Sequence, residues 1–270
     1  MIGIVVGLLL GLTGAGGAIL AVPLLMAGLG WPMTQAATTA LLAVSVAATV
    51  GTAMAWRHSY VRYRAALLLG VVGILFSPLG IHLADRLHPL HLQRIFAVVL
   101  AFVAIRMFLM AWTPKEDMVV VRSSVIGEGP PSVGRIGSIN PATGRLVWTR
   151  SVATTIGLIG AVTGFLSGLL GVGGGFIVVP ALRATLPLSM HSAVATSLMA
   201  IAITSFGAFI NGLLQGRQAP WAIALPFVAG AILGMIIGRQ VAPYISGRHL
   251  QQFFAAIALI VAVTLAMHST

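Results

Sequence analysis

Eight apolar stretches, each close to the length that crosses a bilayer, dominate this chain and fix its environment. They run at about 1–28, 34–56, 65–85, 93–113, 151–182, 190–214, 219–242 and 250–268. A hydrocarbon core ~30 Å thick takes about 20 helical residues. Inside it, a backbone with no water to bond must satisfy itself as helix. The stretches therefore predict an all-α polytopic membrane protein with about eight transmembrane segments. Charge is correspondingly scarce: 59% of the 270 residues are hydrophobic and 7% are charged, against about 25% charged in ordinary soluble domains. The net charge of +11 sits mainly between apolar stretches, so it reads as loop charge and not as a nucleic-acid footprint. With no cysteine, disulfides and thiolate metal sites are excluded. The first stretch lacks a positive n-region and outruns an h-region, so it reads as a span and not as a cleaved signal.

The two halves of the chain are copies. A shift of 157 positions lays Gly7–Leu41 on Gly164–Leu198 without a gap, with 16 identities in 35. "GLLLGLTGAGGAILAVP" falls on "GFLSGLLGVGGGFIVVP", and Met33, Ala36, Thr39 and Leu41 fall on Met190, Ala193, Thr196 and Leu198. The organisation is a first four-segment repeat over 1–113, a polar linker over 114–150 rich in Gly, Pro and Ser, and a second repeat over 151–270. Internal duplication is a common construction in secondary transporters, where the substrate site lies between the repeats near the midplane.

Loop charge orients the chain. If every stretch crosses once, Arg57, Arg62, Arg64, Lys115, Arg122, Arg135, Arg145, Arg150 and Arg217 share one side. Arg86, Arg94, Arg183, Arg239 and Arg248 take the other. Nine against five places both termini and the linker in the cytoplasm of a multi-pass inner (plasma) membrane protein.

Two glycine patterns have different meanings. Gly3, Gly7 and Gly11, copied as Gly160, Gly164 and Gly168, recur every four residues, as do Gly230, Gly234 and Gly238. That spacing lines one helix face and lets backbones approach closely in lipid, so packing is its role. Gly14, Gly16 and Gly17, copied as Gly171, Gly173, Gly174 and Gly175, have no helical spacing. Each glycine costs a helix about 1 kcal/mol relative to alanine, so the first helix of each repeat is expected to break here. Pro23 and Pro180, six residues further on, are expected to mark the break. A kinked helix satisfied by its neighbours is one outcome. The other is a discontinuous helix whose new N-terminus offers free N–H groups and a positive dipole end to an anion.

The polar residues near these breaks are mainly hydroxyls, namely Thr38, Thr39 and Ser45 in the second stretch and Thr196, Ser197, Thr204 and Ser205 in the sixth. Most such hydroxyls bond back to their own helix. Thr39 and Thr196, equivalent and just past the breaks, are the candidate ligands, with Ser197 adding a hydroxyl that Ala40 lacks. The four acids, Asp85, Glu116, Asp117 and Glu128, lie at segment ends or in the linker, so no intramembrane carboxylate offers a proton relay. His82 and His191 near segment ends read as interfacial. There is no H-E-x-x-H, paired carboxylate or Walker sequence, and neither metal nor cofactor is expected.

The duplicated G-x-G-G…P and A-x-x-T/S pattern, carried by "GLLGVGGGFIVVPAL" with "MHSAVATSLMAI" and by "GLTGAGGAILAVPLL" with "MTQAATTALLAV", resembles the sulfite exporter TauE/SafE family over nearly the whole chain outside the linker. The resemblance implies a polytopic inner-membrane permease for sulfur-containing or small organic anions. On matching positions it points to Gly171, Gly173, Gly174, Pro180 and Thr196, opposite Gly14, Gly16, Gly17, Pro23 and Thr39. The first copy departs from the second at Ala18, where the second has Gly175. The expectation is a secondary transporter of a small anion, not an enzyme, with the bilayer and the anion as partners and a homo-oligomer allowed. The alternative is an integral membrane enzyme or assembly factor without transport activity.

Overall fold

The computed structural model describes residues 1–14, 16–56, 61–111, 148–186, 190–218 and 220–242, with isolated positions from 252 to 262. Most of the linker and of the eighth apolar stretch lie outside these residues. Nine helices are described: α1 (Ile2–Thr13), α2 (Gly16–Leu29), α3 (Met33–Trp56), α4 (Tyr63–Arg86), α5 (Pro89–Ala111), α6 (Arg150–Leu170), α7 (Gly175–Thr185), α8 (Met190–Leu214) and α9 (Trp221–Val241). There is no strand among the described residues. Five helices are long and apolar enough to cross a membrane: Met33–Ala55, Tyr63–Arg86, Arg150–Leu170, Ser192–Leu214 and Trp221–Val241. The polytopic all-helical class is the one the apolar stretches predict.

The first stretch of each half is broken, and the chain turns back at the break. A methyl group placed on Gly17 would overlap the Val6 carbonyl and crowd the backbone of Leu10, and one on Gly28 would meet the Ile2 side chain. In a continuous helix Gly17 would lie about 10 Å along the axis from Leu10. Thus α2 runs back along α1 to its starting level. The second copy repeats this: a methyl group on Gly174 would overlap the Thr163 carbonyl, and Val178, Leu182 and Leu186 pack in one cluster with Val152 and Ile156. Each stretch read as one crossing is a helical hairpin that enters and leaves on the same face. Among the described residues the first half is then one hairpin and three further helices, and the second half one hairpin and two.

The direction of the repeats follows from α3 and α8, which are equivalent under the 157-residue shift. Leu41 clusters with Ala208 and Phe209, a methyl group on Gly51 would crowd the Leu198 side chain, and Ala55 clusters with Ala195. Positions rise on one helix as they fall on the other, so equivalent helices run antiparallel and the repeats are inverted. The sharing of one side by the linker and both termini rested on an even number of crossings per half. The hairpins remove that premise.

Glycine steps lock the two halves together. Gly3, Gly7 and Gly11 on α1 face the backbone of α9 from Phe227 to Arg239, and Gly230, Gly234 and Gly238 face α1 in return. Gly160, Gly164 and Gly168 on α6 meet α4 at Leu69, Gly73 and Ser77 in the same manner. Each hairpin's first helix thus packs in parallel on the third long segment of the other repeat, at backbone contact. The four-residue spacing is packing, as its periodicity predicts. On the far side of α4, Leu67, Val71, Leu75 and Leu79 are exposed in one stripe, a surface suited to lipid.

Candidate functional site

The two hairpin tips lie against the α3–α8 pair. At the first tip, Gly14 closes α1 in the left-handed region, φ +72°, with its N–H donating to the Leu10 carbonyl. Only glycine adopts this backbone routinely. A side chain on Gly14 would also strike Val194 of α8. The Ser197 hydroxyl donates to the Gly14 carbonyl at 3.3 Å and to the Val194 carbonyl at 2.8 Å. A helix from the second repeat therefore holds the turn of the first.

At the second tip, Gly171, Gly173 and Gly174 all have positive φ, +70°, +73° and +63°. A side chain on Gly171 would strike Ala37 of α3, the exact counterpart of Val194 under the repeat shift. A side chain on Gly173 would meet the Ser205 hydroxyl and Val44, and one on Gly175 would meet Ile201. Val44 lies halfway along α3, which places this turn at mid-height of the bundle. The Thr204 hydroxyl donates to the Gly173 carbonyl at 3.4 Å as well as to the Ala200 carbonyl at 2.9 Å.

The expected residues separate into two groups. Gly14, Gly171, Gly173, Gly174, Gly175 and Ser197 gather around the tips. Gly16 and Gly17 begin the returning helix α2, with Gly17 pressed on α1. Thr39 and Thr196 do not join them. Thr196 accepts the Arg62 backbone N–H at 3.1 Å, so it ties α8 to the start of α4. A position two residues from Val194 points about 200° round the helix, away from Gly14. Thr39 is buried and its hydroxyl has no partner among the described residues, but it stands at the same angle from Ala37. Pro23 and Pro180 are not the break either. They sit inside α2 and α7, because left-handed glycines alone suffice to turn the chain.

Hydroxyls elsewhere mostly bond back to their own helix, as expected of membrane Ser and Thr. Thr13 donates to Leu9, Thr38 to Thr34 and Ser45 to Leu42. Ser167 and Ser205 depart from this habit: both are fully buried and neither hydroxyl has a partner among the described residues. The informative signal was the difference between the copies, since their counterparts are the apolar Leu10 and Ala48. At the start of α4, burial lowers the pKa of the Arg62 guanidinium by desolvation.

Lipid-length helices, internal inverted duplication and a helical hairpin opening each repeat are the build of an integral membrane transporter. The family model described as "Sulfite exporter TauE/SafE" matches residues 1–265, and the chain belongs to that family. It is 31% identical over 264 residues to a probable membrane transporter protein of Xylella fastidiosa (strain Temecula1), covering 96% of this chain and 90% of the relative. It is 26% identical over 264 residues to the probable membrane transporter protein YjnA of Bacillus subtilis, covering 96% and 95%. These are transporters and not enzymes. No solved structure matches.

Proposed function

We propose that the protein is a secondary transporter of a small anion, sulfur-containing (sulfite, a sulfonate or a thiosulfate-like species) or a small organic acid, alternating access by rocking one inverted repeat against the other. The observation that carries this is the pair of glycine turns packed on α3 and α8, which brings the starts of α2 and α7 to the bundle interior. The first N–H groups of a helix have no intrahelical partner, and with the dipole they favour negative charge. The family's printed description supplies sulfite as the first substrate to try. Sulfite flux into proteoliposomes tests the reading, with thiosulfate, sulfoacetate and acetate in parallel. Uptake above protein-free vesicles is expected for at least one, and Gly173→Leu in folded protein abolishes it. No flux of any of them, or full flux through Gly173→Leu, contradicts the proposal.

We further propose that the linker faces the cytoplasm while Met1 lies on the opposite face. Arg62, Arg64, Arg150, Arg183 and Arg239 fall on the face where α3 ends, and the connecting sequence adds Lys115, Arg122, Arg135 and Arg145. Arg86, Arg94 and Arg217 fall on the other. This asymmetry supports the linker side as cytoplasmic under the positive-inside bias.

A further inference from the structure

We propose that the anion is held at the second glycine turn and not at the first, by the hydroxyls of Ser167 and Ser205 together with the N–H groups that open α7. The inference rests on the transport reading and narrows it to one turn and one class of ligand, a small oxyanion. Both serines are completely buried, and both hydroxyls lack a partner among the described residues. An unpaired buried hydroxyl costs about 1–3 kcal/mol, so a native site that keeps two of them needs a reason. Ser205 reaches the turn with its side chain, and Ser167 adjoins it through its backbone. The Ser205 hydroxyl is the atom nearest to where a Gly173 side chain would begin. Ser167 lies one helical turn before Gly171 and accepts its N–H at 2.9 Å through the Ser167 carbonyl.

The first N–H groups of α7 and the hydroxyls of Ser167 and Ser205 are donors at this turn. The Ser167 carbonyl is occupied by the Gly171 N–H and the Gly174 carbonyl by the Ile177 N–H at 3.2 Å. The Gly173 carbonyl accepts from Thr204. An oxyanion takes hydrogen bonds from hydroxyl hydrogens and from the first N–H groups of α7, where the helix dipole also favours it. The first turn lacks this equipment: Leu10 and Ala48 stand in place of the serines, and the Gly14 carbonyl is bonded by Ser197. With no cationic side chain placed at it among the described residues, the second turn would hold an anion through hydrogen bonds, as a carrier that must also release it requires.

Sulfite is the probe for the test, read by the concentration dependence of thermal stabilisation in detergent and by flux in proteoliposomes. Wild-type protein, Ser205→Ala, Ser167→Ala and the double variant are compared. The expected result is a tenfold or greater rise in apparent Kd for each single variant and loss of stabilisation in the double variant. The melting temperature without ligand should hold or rise, because an unpaired hydroxyl has been removed. Wild-type Kd and KM in the variants, with or without a lower ligand-free melting temperature, overturn the inference and leave the transport reading standing. If wild-type protein neither binds nor moves sulfite or the other oxyanions, the transport reading fails and takes this inference with it.

Discussion

The two glycine turns come from one ancestral sequence and differ in length and in lining. In the first, α1 ends at Thr13 and α2 starts at Gly16, with Gly14 its left-handed glycine and Ser197 fastening its carbonyl. In the second, four residues separate α6 from α7, three of them left-handed, and Ser167 and Ser205 have hydroxyls with no partner among the described residues. Duplication supplied a symmetric frame, and substitution then placed Leu10 and Ala48 in one copy where the other has Ser167 and Ser205. The inverted pair of hairpins is the shared frame, and the copy-to-copy differences distinguish the two turns.

Breaking the frame should have the largest effect. Gly164→Leu drives a side chain into the Gly73 backbone, a strain no rotamer relieves, and should cost 4 kcal/mol or more on the order of the severest overpacking. Loss of a monodisperse gel-filtration peak would show it. Gly157→Leu, where added atoms meet open space, should give a peak like wild type. The next effect distinguishes the turns. Gly173→Ala forces a left-handed backbone on a residue with a Cβ, costing about 1–2 kcal/mol, and puts that Cβ on Ser205. Its sulfite flux should fall at least tenfold, while Gly30→Ala, left-handed but in open space, pays the backbone cost alone and keeps wild-type flux.

Smaller effects sharpen the comparison. Ser197→Ala removes the bond from α8 to Gly14 and should lower thermal stability by about 1 kcal/mol. Asp85→Asn removes the 2.6 Å ion pair to Arg217, which joins the end of α4 to the α8–α9 connection. With Asp85 42% exposed, screening leaves an effect within about 1 kcal/mol, read as a small melting shift that salt erases.

Much of the frame is legible in the sequence. The apolar stretches, the shift of 157 and the four-residue glycine spacing all follow from periodicity, and the contacts of Gly7 and Gly164 bear out the packing role. The turning back is not legible, because a glycine break permits a kink and a hairpin alike. Only the contact of Gly17 with Val6 and Leu10 separates them, and it is a tertiary fact. Proximity in sequence misled for Thr39 and Thr196: standing just past the breaks says nothing of which way a helical side chain points, and Arg62 takes Thr196 elsewhere. Pro23 and Pro180 misled for a related reason, since a membrane helix tolerates a proline once its neighbours cover the freed carbonyl. Ser167 and Ser205 were legible as differences between copies, but only the structure shows that neither bonds back to its own helix.

The account stands on the hairpins, and a chain without cysteine allows a direct test. Single cysteines at Thr149 and Ala184, which flank the second hairpin, and at Ile2 and Trp31, which flank the first, are probed with a membrane-impermeant maleimide in right-side-out and inverted vesicles. The account predicts that Thr149→Cys and Ala184→Cys react only in inverted vesicles and that Ile2→Cys and Trp31→Cys react only in right-side-out ones. Labelling of Thr149→Cys and Ala184→Cys from opposite faces would mean that the chain crosses at its glycines, and the inverted pair of turns would be wrong.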